Sequence, residues 1–288
     1  MARPKDERWH GELIPVEPVQ PDPTKGIQGY RSVWDHEHFS RPRVLEWHDD
    51  FLYGTYQTEA LATLGAFGVP ALLVGPWGLV QSGTGAACGP SAQGVDATSR
   101  CVGVANLATG TTTTGRVALT TSPLSVLFGR GQQHKLSARV MIPTLSTAAQ
   151  EFTVVVGFHD GLAGGSIHAG NGVYWLYDRA TFGDKWIAYQ RDNSTAAASA
   201  GLAEVPIVAG QWYDLGIEVE HDTDEPMAWY EIDGHHRFVN INTQVPVTAG
   251  RTCGMGLRIL KSAGTTERNL YCDFWRYQLR QAPRGGAW

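Results

Sequence analysis

The sequence predicts an all-β protein, an antiparallel two-sheet sandwich with an extended N-terminal arm. Apolar and polar residues alternate in many short segments, which is the pattern of strands with one buried face. Turn residues separate these segments at intervals of about ten residues, and no long helical period occurs between them. Residues 1–47 show neither pattern. We therefore expect three parts: an arm (1–47), a β-sandwich (48–278) and a short polar tail (279–288).

The composition limits the size of the core and the kinds of partner that we expect. A chain of 288 residues that is 42% hydrophobic can bury one large core or two small ones. Its formal charge of -5, without clustered Lys and Arg, gives no electrostatic reason to expect a nucleic-acid partner. No apolar run reaches the roughly 20 residues that cross a bilayer, so we expect no membrane partner. The charged N-terminus lacks a secretory signal, and we expect no export by that route.

The N-terminal segment 1–47 contains six prolines, which remove backbone donors and favour extended conformations. Such a segment has little core of its own, so it is either a disordered tail or an arm that lies on another surface. Three tryptophans, Trp9, Trp34 and Trp47, favour the second alternative because large rings need somewhere to bury. We predict that they anchor the arm on its own domain or on a neighbouring subunit.

The next segment, 58–80, is apolar and rich in Gly and Ala. Glycines and Pro70 interrupt its helical spacing, so we predict at most a helical turn, followed by a strand near 72–80. Residues 82–115 have the Gly, Ser, Thr and Ala content of loops and short strands.

The remaining chain contains ten clear strand patterns. They cover residues 116–122, 135–142, 152–158, 172–178, 185–191, 212–220, 227–232, 238–241, 254–260 and 270–277. The run FTVVVGF at 152–158 is apolar at both odd and even positions, which predicts a strand covered on both faces.

The strongest local pattern is a three-strand meander over 210–241. Alternation from Tyr213 to Val219 is followed by a polar turn that ends at Pro226, after which alternation resumes. Asp233-Gly234 favours a type I′ hairpin turn. We expect this meander to form the central part of one sheet.

Cysteines and histidines suggest no metal centre and no cofactor. The four cysteines lack C-x-x-C spacing: Cys88, Cys101, Cys253 and Cys272. Two disulfides are compatible with their even number, but the absence of a signal peptide favours free thiols. His36 with His38, or His235 with His236, would need a nearby carboxylate to hold a metal, so we favour surface or packed histidines.

Ordered motifs from Asp49 to Arg276 carry a family resemblance. They are DDFLYG (49–54), GVANLATGTTTTGRVAL (103–119), ARVMIPTLS (138–146), FTVVVGFHD (152–160), NGVYWLYDR (171–179), AGQWYDLGIEV (209–219), YEIDG (230–234) and LRILKSAGTTERNLYCDFWR (257–276). In this order the chain resembles the concanavalin A-like (lectin/glucanase-type) jelly-roll domains that recur in tailed-bacteriophage virion proteins. Residues 1–47 lie outside the resemblance.

The resemblance implies a jelly-roll sandwich and a non-enzymatic structural role in a virion assembled in the host cytoplasm. The simplest such role is a capsid decoration or cement protein. Its partners would be other virion proteins, either the major capsid protein or tail and neck proteins, and further copies of itself, for example in a trimer. The alternative is a tail fibre, tail appendage or receptor-binding protein that contacts host glycans.

Two enzyme hypotheses compete with this role. Residues Glu220 to Glu225 spell E-x-D-x-x-E, which resembles the motif of laminarinase-like glycosidases, with Glu220 as nucleophile and Glu225 as acid/base. The motif falls in a predicted turn, where acidic residues are usually only hydrated. A polysaccharide lyase would need Tyr, His, Arg and Gln on one groove, but Tyr189, Gln190 and Arg191 are consecutive and must alternate between faces. We therefore expect no enzymatic activity.

Aromatic residues offer a candidate glycan site. Trp175, Tyr177 and Trp186 could stack on the apolar faces of sugars. The competing interpretation, which we favour, is that these rings fill the space between the two sheets.

Overall fold

Sixteen strands in the described part of the chain form two antiparallel sheets. The computed structural model describes residues 43–49, 51, 77–91, 103–122, 124–160, 170–193, 195–198, 204–221, 225–239, 244–248 and 250–281. The predictions for Trp9, Trp34, Cys101, His36 and His38 lie outside these residues, as does the predicted helical turn.

Each sheet has eight strands within the described residues. Sheet A contains β1 (Arg43–Asp49), β3 (Ala87–Pro90), β4 (Ala105–Ala108), β6 (Gln132–Met141), β12 (Trp212–His221), β13 (Met227–Ile232), β14 (His235–Val239) and β16 (Asn269–Gln281). Sheet B contains β2 (Gly78–Ser82), β5 (Arg116–Thr120), β7 (Phe152–His159), β8 (Gly172–Asp178), β9 (Lys185–Asp192), β10 (Thr195–Ala198), β11 (Glu204–Pro206) and β15 (Gly254–Lys261).

The strand order interleaves distant parts of the chain. Sheet A runs β14-β13-β12-β6-β16-β4-β3, and β1 also pairs with β16. Sheet B runs β10-β9-β8-β7-β15-β5-β2, and β11 also pairs with β9. This arrangement confirms the predicted all-β jelly-roll sandwich. The one helix among the described residues, α1 (Arg179–Phe182), is far too short to cross a bilayer.

The core lies between the two sheets. On β12, Tyr213, Leu215, Ile217 and Val219 are buried, as their alternation predicts. All of β7 is buried, which confirms that the FTVVVGF strand is covered on both faces.

The meander forms, but at the edge of sheet A. Strands β12, β13 and β14 are neighbours, and positive φ angles at Asp233 (49°) and Gly234 (74°) confirm the type I′ turn. The prediction of a central position is wrong, because β14 is the outermost of the described strands of sheet A and β6 separates β12 from β16. Local alternation specifies consecutive hairpins but not which distant strand pairs with them.

The strands extend beyond the predicted domain limits. Strand β1 begins at Arg43, within the predicted arm (1–47), and β16 continues to Gln281, within the predicted tail (279–288). Strands β3, β4, β10 and β11 are only three or four residues long, too short to show a clear alternation in the sequence.

The buried thiols give a chemical test of this packing. Cys88, Cys253 and Cys272 are free and buried, and burial raises the pKa of Cys88 to about 12. We expect none of these three to react with a thiol reagent such as DTNB at pH 8 in the native protein, because only the thiolate attacks. A Cys101→Ser variant should therefore show no fast-reacting thiol when native and three when denatured. A fast-reacting thiol in the native variant would contradict the described packing.

Candidate functional site

The N-terminal arm joins the sandwich at strand β1. This strand pairs with β16 at seven consecutive positions, from Arg43 opposite Gln281 to Asp49 opposite Trp275. The segments 1–42 and 282–288 therefore join sheet A at the same end. We call this end, defined by Arg43 and Gln281, the terminal pole.

Four aromatic residues fix β1 to the core, and we call them the arm-root cluster. They are Trp47, Phe51, Trp77 and Trp275. The ring centroid of Trp77 lies 4.6 Å from that of Trp47 and 5.4 Å from that of Trp275. The Asp49 carboxylate accepts hydrogen bonds from Trp77 Nε1 (2.7 Å) and from the Phe51 backbone N–H (2.8 Å). Trp47, one of the predicted anchors, thus packs on its own domain.

Strand β1 also presents apolar side chains to solvent. Val44 is 47% exposed and Leu45 is 42% exposed. Among the described residues the other exposed large hydrophobic side chains are Leu124, Leu127 and Val208. Because they are consecutive on the strand, their side chains lie on opposite faces of sheet A.

The predicted glycan-stacking residues lie in the core instead. Trp175, Tyr177 and Trp186 are all 0% exposed. Trp175 donates from Nε1 to the Gly216 carbonyl (3.0 Å), and its ring meets Tyr230 edge to face. Because no ring face reaches solvent, these residues fill the space between the sheets and offer no stacking surface to a sugar. Alternation could not separate the two interpretations, since β8 is buried at every position.

Sheet A has an accessible polar face on the side away from the core, which we call the outer face. Its charged residues pair across neighbouring strands. Lys135 lies 3.6 Å from Glu218, and Arg139 lies 3.5 Å from Asp214 and 3.8 Å from Asp273. Partial burial raises the pKa of the Asp214 carboxyl; Arg139 opposes the rise, and Asp233 and Glu231 add to it.

Two half-buried tryptophans belong to the same face. Trp212 precedes Asp214 by two positions on β12, and the Arg139 guanidinium lies 5.8 Å from the centroid of its ring. Trp229 on β13 is opposite Glu218. Between them, Gly216 lies between Ser137 on β6 and Glu231 on β13. Sequence reasoning missed these tryptophans, although their positions share the parity of the polar residues in the meander.

The acidic motif lies beside the terminal pole. Glu220 is half-buried on β12, Glu225 is exposed at the start of the next described segment, and 222–224 lie outside the described residues. The motif joins β12 to β13, which is its predicted place between two strands.

A second polar cluster occupies sheet B on the side away from the core. His159, Tyr174 and Arg258 are at most 2% exposed, and His159 meets Tyr174 edge to face. Burial lowers the pKa of His159 to about 3, and the Arg258 guanidinium adds to this fall. The cluster contains some residue types that a lyase would need, but the described packing gives them almost no contact with solvent. Among the described residues no group of three or more His, Cys, Asp or Glu side chains is placed to hold a metal ion.

Comparisons with known proteins identify a family and structures with a similar fold. A protein of unknown function, SO2946 from Shewanella oneidensis MR-1, has a similar structure, with a TM-score of 0.56 and 10% identity over 87% of this chain and 92% of that one. At this identity the comparison establishes a shared fold. No curated protein matches the sequence.

Two further solved structures are similar at lower scores. One is an endo-1,3-beta-glucanase from Streptomyces sioyaensis (TM-score 0.41, 11% identity, 62% of this chain and 76% of that one). The other is a carbohydrate esterase from the Shiga toxin-encoding bacteriophage phi24B (TM-score 0.42, 10% identity, 72% of this chain and 90% of that one).

The family described as "SO2946-like, C-terminal domain" matches residues 100–273, more than half of the sequence. The chain therefore belongs to the SO2946-like family.

Proposed function

We propose that the protein is a non-enzymatic structural component of a bacteriophage particle, most simply a capsid decoration or cement protein. In this role the sandwich lies on the particle surface, and segment 1–42 fastens it to neighbouring subunits. The observation that carries the proposal is the arm root: β1 pairs with β16 along its whole length and Trp47 packs on Trp77. A load on the arm would therefore reach the core directly.

The terminal pole supports the same role. Both terminal segments join the sandwich there, and Val44 and Leu45 expose apolar surface beside it. An arm of this length can cover on the order of 1,000 Å² of a neighbouring protein, the size at which specific contacts become stable. Attachment would then depend on buried area, with Trp9 and Trp34 as the anchors in the arm.

Removal of residues 1–42 tests this proposal. Because the deletion keeps β1 and the arm-root cluster, we expect a folded domain with a near-normal melting temperature that no longer co-sediments with particles lacking the protein. A matched full-length variant, Trp9→Ala with Trp34→Ala, should also bind more weakly. A truncated chain that co-sediments as well as the full chain would contradict the proposal.

A glycan-contacting tail appendage is the second candidate. The observation that favours it is the outer face of sheet A, where two tryptophans and several charged side chains remain accessible. In this candidate function the arm keeps its attachment role, and the outer face serves as a ligand-binding surface.

A further inference from the structure

We propose that the outer face of sheet A is a contact surface for a second copy of this chain, related to the first by a two-fold axis parallel to the strands. The inference goes beyond attachment to a particle, because it concerns contact between copies and does not involve segment 1–42. It uses the face that the glycan-contacting candidate requires, so the two are alternatives for this surface.

Charges of opposite sign lie on different strands of this face. Strand β16 is adjacent to β6, β12 is adjacent to β13, and β6 pairs with β12. The first two strands contribute four cationic side chains: Lys135, Arg139, Arg276 and Arg280. Strands β12 and β13 contain no Lys or Arg, and with their following turn they contribute five carboxylates: Asp214, Glu218, Glu220, Glu231 and Asp233. One half of the face is therefore basic and the other half acidic.

The one acidic residue on the basic strands does not change this pattern. Asp273 lies at the β-bulge of β16, and its carboxylate is 3.8 Å from the Arg139 guanidinium. Its side chain is only 13% exposed, so it contributes little to the surface.

A partner can reach the outer face of sheet A. The side chains of Lys135 (46%), Asp214 (55%) and Arg276 (53%) are about half exposed. The corresponding face of sheet B is different, because Val155 and Leu176 on that face are at most 1% exposed. Of the two sheets, sheet A therefore offers the accessible charged surface.

The charge pattern selects the arrangement of the two copies. A two-fold axis between the facing sheets, parallel to the strands and above the boundary of β6 and β12, exchanges the two halves. Strand β6 of one copy then faces β12 of the other, and β16 faces β13, so basic strands meet acidic strands. An axis perpendicular to the strands would place each strand on its own equivalent, and the carboxylates would face each other. Complementary charge thus favours the parallel axis.

One row of the register predicts a specific contact between copies. Four residues lie opposite one another across the four strands: Arg276, Ser137, Gly216 and Glu231. Within one chain Arg276 and Glu231 are three strand spacings apart, roughly 14 Å. Rotation about the parallel axis places Arg276 of one copy over Glu231 of the other, at two symmetric positions. The Arg276 guanidinium contacts Glu46 (2.7 Å) and has further donors for a second carboxylate.

The face has the size of a small specific interface. Strands β6 and β12 are each 10 residues long. Four such strands, spaced roughly 4.8 Å apart, cover roughly 600 Å² per copy, and the total of about 1,200 Å² is at the low end of stable contacts. Trp229 and Phe274, which are half-buried in the separate chain, would add apolar area. We therefore expect a reversible dimer that salt weakens.

Sedimentation equilibrium of the full chain tests the inference. We expect a monomer–dimer equilibrium whose dissociation constant rises about tenfold or more between about 0.05 M and about 0.5 M NaCl. Arg276→Glu and Glu231→Arg should each weaken the dimer about tenfold or more, because like charges then meet at both symmetric positions. Arg179→Glu, which reverses a charge on α1, is the matched control and should leave the dimer unchanged.

A mixture of the two variants separates contact between copies from damage within one chain. A heterodimer of the Arg276→Glu and Glu231→Arg chains has opposite charges at both positions, so the mixture should dimerise more tightly than either variant alone. The chain lacking residues 1–42 should dimerise as the full chain does, which distinguishes this inference from the attachment role. A wild type that stays monomeric at low salt, association that is lost with the arm, or a mixture no tighter than its components would overturn the inference.

Discussion

Trp77→Ala is expected to lower the free energy of unfolding by about 3–5 kcal/mol, the range for truncation of a buried aromatic residue. Trp77 is 1% exposed and contacts Trp47, Phe51 and Trp275 in the arm-root cluster. Its removal leaves a cavity and takes the hydrogen-bond donor from Asp49. The measurement is chemical denaturation at neutral pH, with the midpoint and slope compared with those of the wild type.

Two variants sharpen this result. Trp77→Phe keeps most of the apolar contact but loses the Nε1 donor, so it should cost less than Trp77→Ala. Val208→Ala changes a side chain that is 58% exposed and should change stability by no more than about 0.5 kcal/mol. If Trp77→Ala cost no more than Val208→Ala, Trp77 would not be part of the core and β1 would not be fixed as described.

Acid is expected to destabilise the protein strongly through two buried histidines. Burial lowers the pKa of His134 to about 4 and that of His159 to about 3. Above the ordinary pKa of histidine, near 6.5, neither the folded nor the unfolded form carries these protons. Below it the unfolded chain binds them and the folded protein does not, so folding loses about 2–3 kcal/mol per histidine between pH 6.5 and pH 4.5.

Variants at the two positions separate the contribution of the histidines to the pH dependence of stability from the contribution of carboxylates that titrate in the same range. The comparison is the loss of unfolding free energy between pH 7 and pH 4.5, measured by urea denaturation. His159→Gln and His134→Gln should each lose less over this interval than the wild type, whatever their stability at pH 7. An unchanged pH dependence in both variants would mean that these rings are accessible to protons in the folded state.

The sequence predicted the long strands well because alternation is a local signal. In the meander this local signal predicted the Asp233-Gly234 turn correctly. It did not predict that the meander lies at an edge of sheet A, because that position depends on pairing with β6, a distant part of the chain. Strand β1 was missed because residues 43–49 have no clear apolar face and follow a Pro-rich segment. Pairing with β16 makes this segment a strand.

Some features of the candidate sites could likewise be predicted from local alternation, and others depend on contacts between distant strands. Trp212 and Trp229 share the parity of polar neighbours, so alternation contained the signal for an accessible face. Trp175 lies on a strand buried at every position, where parity cannot tell the core from a surface. The cluster of His159, Tyr174 and Arg258 brings together three strands, and only the tertiary structure shows that they meet.

The orientation of the sandwich on a particle tests the attachment role most directly. The measurement is an electron cryomicroscopy map of particles that carry the protein, with the sandwich fitted as a rigid body. The account predicts that the terminal pole, where Arg43 pairs with Gln281, faces the particle, with continuous density from Arg43 into a neighbouring subunit. A terminal pole directed to solvent, with the sandwich held by another surface and no density from Arg43 to a neighbour, would contradict it.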